Sequence, residues 1–519
     1  MNLKKFKLTA LLLMVSSNLS GASDSKDLFY KDRAGQMAWI ENGKWNECAQ
    51  TLMEKLAHVE EEGLDPQDYA PQLAALKKIS ISDPSQQMKA DEILTSLTLL
   101  YISDMKGERL NPKNVDKTLY IKPIEVSEAQ LLKAFFSNPK SCAWISTLGP
   151  ARKEYQNLKE LLAYYKRIQE QGGWPTLPKG VKLEKGKSNE AVQILRHQLV
   201  AQGALDSAHQ SGDQFDDTVE SALKTFQETH GIDPKGKIGN ETLEALNTPV
   251  EKRIEQIIVS LERQRWLPDT LGARHIFVNI AGFELEAVDN NKILFTMPVI
   301  AGRAYRKTPS FYAQLNEVIF NPSWHVPYNI AVQDKLPKLQ KNPNAFSGKG
   351  YNFYDSAGNA VSASSINWSS YSSGNFPYQI VQSPGSANAL GKIRFTIDYA
   401  SANLPNLDVY LHGTPEQNLF SKSERDFSSG CIRVENPAKL ASFVLNDPQA
   451  WTPEKIKQES SGSDTKHIKL KSPLPVYITY FTVWKDEQGR AHFVKDLYGQ
   501  DKEMWNALQQ RRKPILPSI

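Results

Sequence analysis

The sequence has few of the features that mark membrane proteins or disordered chains. Its N-terminal apolar run, Leu8–Val15, has eight residues, and a membrane-spanning helix needs roughly 20. Apolar residues make up 40%, charged residues 23% and aromatic residues 9% of the 519 residues. These ordinary globular values exclude wholesale disorder and a multi-span membrane protein. At roughly 150 residues per domain, the length predicts three or four domains.

An excess of one sign of charge is also missing. The net charge is +4, and Lys4, Lys5 and Lys7 fall in a segment that we expect to be removed, which leaves a charge near +1. The chain has no dense run of Lys and Arg. A nucleic-acid partner is therefore not expected.

The first residues have the order of a secretory signal peptide. Met1–Lys7 is basic, Leu8–Val15 is apolar, and Ser20-Gly21-Ala22 offers small residues where a signal peptidase reads them. We predict cleavage after Ala22, export from the cytoplasm and a mature protein without a membrane span. The alternative is that the segment stays uncleaved as a single anchor.

Cysteine is scarce, with three residues in the chain. In an oxidising compartment cysteines tend to pair, and three leaves one over. Cys431 lies in the small-residue turn that begins at Ser428, where a backbone can fold tightly around a thiol. We predict a Cys48–Cys142 disulfide and a free Cys431, and a free thiol in an exported protein indicates chemistry.

The hydrophobic period divides the chain into regions. Up to about residue 172, apolar residues recur at steps of three and four, and from about residue 275 they alternate. The predicted fold class is multidomain α+β: a helical N-terminal scaffold, a small three-helix unit and a mostly-β domain. The predicted boundaries are 1–22 for the signal peptide, 23–175 for the scaffold, 180–248 for the three-helix unit, 249–272 for a linking helix, 273–455 for the β domain and 473–519 for a C-terminal hairpin and helix.

Two details of the β region are also predicted. A stretch at about 328–377, rich in Ser, Asn, Gly and Tyr, interrupts the alternation. Stretches this long are usually functional lids or disordered inserts, and we take it as a lid. Near the C-terminus, Val476–Trp484 and His492–Leu497 are predicted to form a hairpin.

The three-helix unit carries a recognisable series of loop residues. In chain order these are Gly186, Phe215-Asp216, Gly231-Ile232, Gly236-Lys237-Ile238-Gly239 and Thr242-Leu243. The series resembles the type 1 peptidoglycan-binding domain. The resemblance implies a role in holding the protein to the cell wall, and leaves open whether this copy still binds glycan.

A cysteine and a histidine form the candidate chemical site. His412 lies 19 residues before Cys431, directly after the apolar strand Val409-Tyr410-Leu411. A thiol needs a base to become a thiolate near neutral pH, and an imidazole supplies one. Taken alone the pair is weak evidence, because a lone cysteine is more often a small buried apolar residue. No C-x₂-C or H-x₃-H spacing supplies further zinc ligands, so we predict neither a metal nor a cofactor.

The residues around this pair resemble the active-site signature of the L,D-transpeptidase catalytic (YkuD) domain. The matching segments are His412-Gly413-Thr414 and Ser428-Ser429-Gly430-Cys431-Ile432-Arg433-Val434. Val299–Gly302, Lys307–Pro309 and Asn321–Pro327 resemble further segments of that family. The order of the regions resembles the large YcbB-type enzymes, which implies a periplasmic location. Ser429 stands where many members carry His, and the YcbB-type branch shares this serine.

The resemblance implies acyl transfer through a thioester on Cys431. His412 would act as general base, and the Gly413 carbonyl would orient its ring. Backbone N–H groups around Gly430 and Cys431 would stabilise the oxyanion. Arg433 either binds a substrate carboxylate, the role we favour, or forms a structural ion pair. Further oxyanion or substrate-binding candidates are Ser428, Ser429, Tyr410 and Trp324.

The family also implies the reaction and its partners. The donor would be a tetrapeptide stem of peptidoglycan, attacked at the carbonyl of its third residue with release of D-alanine. The side-chain amine of another stem would accept the acyl group in a 3→3 crosslink. Carbapenems are expected inhibitors, and other cell-wall enzymes are expected partners.

Several alternatives stay open. Attack by water would make the protein an L,D-carboxypeptidase, and attack by a protein lysine would anchor proteins to the wall. A non-catalytic scaffold that binds the wall is a third possibility. A cysteine protease of another type has no matching local signature.

Overall fold

The computed structural model describes residues 26–121, 127–136 and 142–511. The predicted signal peptide, 1–22, lies outside the described residues. Among the residues described, no helix is long and apolar enough to cross a membrane.

The N-terminal region is helical, as predicted. Its longest helix begins after Asp83, whose carboxylate accepts the backbone N–H of Ser85 and caps the helix. Leu94, Leu97 and Tyr101 on this helix are fully buried. The helices described here are 26–32, Glu47–Ala57, Ala70–Lys78, Pro84–Met105, Pro112–Val115, Glu128–Phe136 and Lys153–Glu170, with a small hairpin of Ile40–Glu41 and Lys44–Trp45.

The predicted disulfide joins two parts of this region. Cys48 and Cys142 are bonded, with 5.1 Å between their Cα atoms and 94 residues between them along the chain. Cys431 is the free cysteine. Both cysteine predictions are confirmed.

The next unit has three helices, Glu190–Ala201, Asp217–Thr229 and Asn240–Leu246. Their apolar faces meet in a core of their own, in which Leu195, Leu223 and Phe226 are fully buried. This confirms the predicted three-helix unit. The linking helix Val250–Arg265 follows, and its last two turns are buried between the other regions.

The mostly-β domain is built on a closed barrel of eight strands. The strands are β1 (His275–Asn279), β2 (Glu284–Asp289), β3 (Lys292–Ile300), β4 (Phe311–Phe320), β5 (Ile393–Asp398), β6 (Leu411–His412), β7 (Ile432–Val434) and β8 (Lys466–Thr479). Around the barrel the order is β5-β6-β7-β3-β2-β1-β8-β4. The pairs β6–β7 and β1–β8 are parallel, and the other pairs are antiparallel. Helices Pro437–Leu445 and Pro453–Ser460 lie between β7 and β8 in the chain.

The long strand β8 corrects the predicted C-terminal boundary. Val476–Thr479 pairs in parallel with β1 and closes the barrel, so it is not the first strand of a hairpin. The prediction that residues 476–479 belong to the hairpin was therefore wrong. The observed hairpin is Val483–Lys485 with Ala491–Phe493, followed by the helix Gln500–Gln510. A catalytic domain ending at residue 455 would lack the strand that closes its barrel.

The predicted lid is an ordered subdomain, which we call the insert. Its sheet has the strand order Trp324–His325, Gln379–Gln382, Tyr351–Tyr354, Ala360–Val361. The segments Tyr328–Ile330, Ala331–Lys335 and Leu336–Lys341 form one helical stretch with a π-helical middle turn. The insert has its own apolar core, including Leu339 and Trp368. Its sheet extends beyond the predicted bounds of 328–377 on both sides.

Removing the disulfide should destabilise the N-terminal region. Closing a loop of this length restricts the unfolded chain, so we expect the double variant Cys48→Ala/Cys142→Ala to lose about 4 to 5 kcal/mol of unfolding free energy. Thermal unfolding followed by circular dichroism measures the loss, and reductant should reproduce it in the wild-type protein. Cys431→Ala is the matched control. Equal melting temperatures for the double variant and wild type would contradict the expectation.

Candidate active site

The parallel strands β6 and β7 place the predicted site residues on one face. Leu411 lies opposite Ile432 and His412 lies opposite Arg433. Leu411 and Ile432 are fully buried in the barrel core. Because side chains alternate along a strand, the residues on either side of them point away from the core. These outward residues are Tyr410, His412, Cys431 and Arg433.

A tight turn before β7 presents the thiol. The Ser428 hydroxyl accepts the N–H of Gly430 at 3.1 Å and donates to the carbonyl of Cys431 at 2.5 Å. Gly430 has φ = 123°, a conformation that side-chain-bearing residues rarely adopt. Ser428 is 2% exposed, so its hydroxyl organises the backbone around Cys431 and does not reach solvent.

The segment after β3 holds this turn from the other side. The hydroxyl of Thr308 donates to the carbonyl of Gly430 at 2.8 Å and accepts the N–H of Gly302 at 2.9 Å. Tyr498 from the C-terminal region donates its hydroxyl to the Gly302 carbonyl at 2.6 Å. These buried bonds fix the position of the turn, because breaking any of them would leave a buried polar group unpaired.

The Cys431 thiol is half-buried and protonated at neutral pH. It donates to the carbonyl of Asp408 at 3.4 Å. Burial raises the pKa of the Cys431 thiol, and hydrogen bonds from Tyr410 oppose that rise. Asp408 has φ = 52°, a strained conformation for a residue with a side chain, and it turns its carbonyl toward the thiol.

His412 is buried and neutral. Its Nδ1 lies 2.5 Å from the carbonyl of Gly413, a contact in which Nδ1–H donates. A second backbone hydrogen bond joins the ring to Leu390. Burial, followed by the charge of Arg433, lowers the pKa of His412 to about 3. The imidazole is therefore in the form that accepts a proton. Gly413 occupies the ring-orienting position that the resemblance implied.

A glycine that the sequence analysis did not single out makes this arrangement possible. Gly391 packs against the backbone of Gly413, and a Cβ atom at residue 391 would lie 2.7 Å from the Gly413 carbonyl carbon. Such a contact is too close for any side chain, and Gly391 also has φ = 65°. The sequence shows the glycine but gives no sign of what packs on it.

Aromatic and cationic groups surround the thiol. The ring of Tyr410 lies 5.6 Å from the His412 ring, and the guanidinium of Arg394 lies 4.2 Å from the centre of the Tyr410 ring. Trp324 is 8% exposed and hydrogen-bonds the Tyr410 hydroxyl. Lys335 of the insert lies 5.0 Å from the Trp324 ring, and burial lowers the pKa of Lys335 to about 8.

Two arginines near the turn have carboxylate partners. Arg433 lies 2.5 Å from Glu416. Of the two roles considered for Arg433, a substrate-binding group or a structural ion pair, the structure shows the ion pair. Arg306 donates to the Ser429 hydroxyl at 2.9 Å and pairs with Asp334 of the insert at 2.5 Å. Ser429 thus connects the cysteine turn to the insert through one guanidinium. Sequence reasoning missed Arg306 and Arg394, because charged residues in loops and on exposed strand faces give no distinctive pattern.

A separate cavity of about 890 Å³ lies between the three-helix unit, the linking helix and the barrel. Its lining includes His230, Arg253 and Trp484, and also Glu424 and Arg425 from the loop that joins His412 to Cys431. It contains neither Cys431 nor His412. The candidate active site is therefore the outer face of β6 and β7 beside the insert, and not this cavity.

The protonation states predict how alkylation of Cys431 depends on pH. With the thiol pKa raised and the His412 pKa lowered, neither group is charged near neutrality. The rate of alkylation by iodoacetamide should therefore rise about tenfold per pH unit from pH 6 to 8. Mass spectrometry of timed samples measures it, with Cys431→Ser as the unlabelled control. A rate independent of pH in this range would indicate a thiolate–imidazolium pair instead.

Three family models match successive parts of the chain. A scaffold domain matches residues 26–162, a type 1 peptidoglycan-binding domain matches residues 188–246, and the L,D-transpeptidase catalytic domain (YkuD) matches residues 273–476. The last match contains the barrel strands β1–β7, most of β8, the insert and the Cys431–His412 face.

Individual proteins are also similar. Over 259 residues, 50% of this chain, the sequence is 34% identical to a Haemophilus influenzae protein provisionally named an L,D-transpeptidase. The match covers 50% of that relative, so this chain spans about half of the relative's length. A crystal structure of an L,D-transpeptidase from Xylanimonas cellulosilytica is 12% identical, with 59% of this chain and 98% of that chain covered and a TM-score of 0.16. From the family models, residues 273–476 are an L,D-transpeptidase catalytic domain (YkuD), preceded in the chain by a scaffold domain and a peptidoglycan-binding domain.

Proposed function

We propose that this protein is a peptidoglycan L,D-transpeptidase that forms 3→3 crosslinks between stem peptides. The observation that carries the proposal is a free, half-buried Cys431 on the same barrel face as a neutral His412. Both residues lie within the segment that matches the catalytic domain. The geometry supports a nucleophile activated by a neighbouring base.

The first half-reaction forms a thioester. His412 Nε2 takes the thiol proton while Cys431 Sγ attacks the carbonyl carbon of the third residue of a tetrapeptide stem. The tetrahedral intermediate then collapses. The bond to the D-alanine nitrogen breaks, and the proton on Nε2 passes to that nitrogen, so D-alanine leaves as a neutral amine.

The oxyanion of the intermediate needs hydrogen-bond donors. The Gly430 N–H already donates to the Ser428 hydroxyl, so we assign the oxyanion to the Cys431 N–H of the same turn. One such donor typically contributes about 3 kcal/mol to the stability of the transition state. Because Thr308 and Ser428 fix the turn, this donor is positioned before the substrate arrives.

The second half-reaction transfers the acyl group. The side-chain amine of a second stem attacks the thioester carbonyl, and His412 Nε2 accepts the proton that the amine loses. The carbon–sulfur bond breaks, and the proton returns to Sγ, so the thiol is restored. The product is an amide between the third residues of two stems.

The remaining functional proposals concern place and partners. We place the protein in the periplasm, where its substrate lies, and a disulfide suits that oxidising compartment. The peptidoglycan-binding domain would hold the catalytic domain near the wall, where other cell-wall enzymes work. N-terminal sequencing of the exported protein tests cleavage after Ala22.

Carbapenem labelling tests the nucleophile. A β-lactam carbonyl attacked by Sγ gives a stable acyl-enzyme, so we expect one drug adduct on the mature wild-type protein. We expect no adduct on Cys431→Ala, and a rate at least 100-fold lower on His412→Gln because the base is lost. Intact-mass spectrometry measures all three.

Product analysis separates the crosslinking reaction from its rivals. With tetrapeptide stems, transpeptidation yields a dimer that has lost one D-alanine, whereas an L,D-carboxypeptidase yields a tripeptide. A protein-anchoring transferase would need a protein lysine as acceptor. Full cellular function in a Cys431→Ala strain would instead support the non-catalytic scaffold, and would contradict the proposal.

The insert acts as a lid that limits water at the thioester. Its π-helical turn carries Asp334 and Lys335, which contact Arg306 and Trp324 next to the cysteine turn. π-helical turns are rare and occur frequently at functional sites. A closed lid would favour an amine held in the site over water from the solvent.

Breaking the contact between the insert and Arg306 should favour hydrolysis. We expect Asp334→Asn to raise the ratio of tripeptide to crosslinked dimer about threefold or more, because the insert loses its ion pair with the barrel. Chromatography of the products from tetrapeptide stems gives the ratio. Asp355→Asn removes the same charge from an exposed turn of the insert and is the control. A ratio equal to that of the control would refute the lid.

A further inference from the structure

We infer that Arg394 forms an anion subsite beside the thiol and binds the terminal carboxylate of the donor stem. The inference rests on the proposed function, and it identifies which end of the stem the enzyme recognises. Its basis is the position of one guanidinium on the outer face of β5, β6 and β7.

Register places Arg394 on the same face as the catalytic pair. Arg394 on β5 lies opposite His412 on β6, and β6 in turn pairs with β7. Side chains of directly opposite residues point to the same side of a sheet, so Arg394 shares the face of His412. From there its guanidinium reaches over Tyr410, 4.2 Å from the ring centre.

Arg394 has no anionic partner in the protein. Among residues 26–121, 127–136 and 142–511, no carboxylate forms an ion pair with it, and its Nε–H is buried without an acceptor. Its contact is the face of an aromatic ring, which attracts a cation but accepts no strong hydrogen bond. A half-buried guanidinium is usually paired with a carboxylate, and Arg394 has none among the described residues.

The other cations near the cysteine turn have partners of their own. Arg303 donates to the Ser428 carbonyl at 3.5 Å. Arg433 is paired with Glu416, Arg306 is paired with Asp334, and Lys335 donates to the Tyr351 hydroxyl at 2.9 Å. Burial raises the pKa of the Cys431 thiol, and the charge of Arg394 opposes that rise, which agrees with a position near the sulfur. Arg394 is therefore the arginine of this face left to bind an anion.

The chemistry of the donor matches this position. The attacked carbonyl and the terminal carboxylate belong to consecutive residues, so about 3.8 Å separates their α-carbons. Tyr410 lies between Cys431 and Arg394 on the face, next to the thiol on one side and under the guanidinium on the other. A stem that extends from Cys431 across the Tyr410 ring brings its terminal carboxylate to the guanidinium.

The test compares a tetrapeptide donor bearing a free terminal carboxylate with its terminal carboxamide. We expect the full-length mature protein to prefer the carboxylate by roughly 10- to 100-fold in kcat/KM, the range for a hydrogen bond to a charged group. Arg394→Gln should lower kcat/KM for the carboxylate by that factor and leave the carboxamide rate nearly unchanged. Arg394→Lys should restore part of the preference.

Two controls separate recognition from folding. Lys439→Gln removes a cation that lies 4.2 Å from the ring of Phe295 and should leave the preference intact. A donor whose carboxamide is on the second residue should react like the unmodified donor, because the subsite takes the terminal carboxylate. A general loss of folding in Arg394→Gln would slow both donors equally and leave the preference in place.

Binding without turnover distinguishes this inference from the proposed function. Titration calorimetry with the Cys431→Ala protein should show the same preference for the terminal carboxylate, and Arg394→Gln in that background should remove it. If the wild type turns over no stem but this binding preference holds, the subsite stands and the transpeptidase proposal fails. Equal binding of carboxylate and carboxamide, or an unchanged preference in Arg394→Gln, overturns the subsite.

Discussion

The parallel pairing of β6 with β7 is the constraint on which the candidate active site depends. It sends Leu411 and Ile432 into the barrel core and therefore sends His412 and Cys431 to the outer face. A shift of one residue in this register would move the chemical side chains into the core and the apolar ones to the surface. The hydrophobic effect on one face thus specifies the position of the Cys431–His412 pair on the other.

The regions outside the barrel support the segment that holds the cysteine turn. The N-terminal scaffold contributes Asp116, which pairs with Lys307 at 2.7 Å, and backbone bonds between Thr118, Tyr120 and Ser310. The C-terminal region contributes Tyr498, which bonds Gly302. Thr308, between these contacts, carries the bond to Gly430. The scaffold therefore acts on the turn through packing and hydrogen bonds, without contacting the thiol.

Buried charges join the same regions. Arg263 of the linking helix pairs with Asp501 at 2.5 Å, and Arg265 pairs with Glu262 at 2.8 Å on the same helix. An unpaired charge would be costly at this depth. The Arg263–Asp501 pair therefore requires the linking helix and the C-terminal helix to pack together. The electrostatics of the thiol site differ, because within the part of the chain that the structure describes Arg394 forms no ion pair with a carboxylate.

The sequence by itself determined the candidate site residues and much of the local structure. Apolar steps of three and four indicated the helices, alternation indicated most barrel strands, and the odd cysteine identified Cys431 as the free thiol. The loop motif around His412 and Cys431 identified the catalytic family. These features are local, since each depends on residues near one another in the chain.

Only the tertiary structure decided which elements lie side by side. Val476–Thr479 alternates as a hairpin strand would, and its partner is β1, about 200 residues earlier in the chain. Arg394 and Arg433 look alike in sequence, yet Glu416 pairs with one and Tyr410 lies under the other. Hydrophobic period reports which face of an element is buried but not what covers it. The closure of the barrel, the link from the insert to Ser429 through Arg306 and the unpaired guanidinium of Arg394 therefore follow from the folded chain alone.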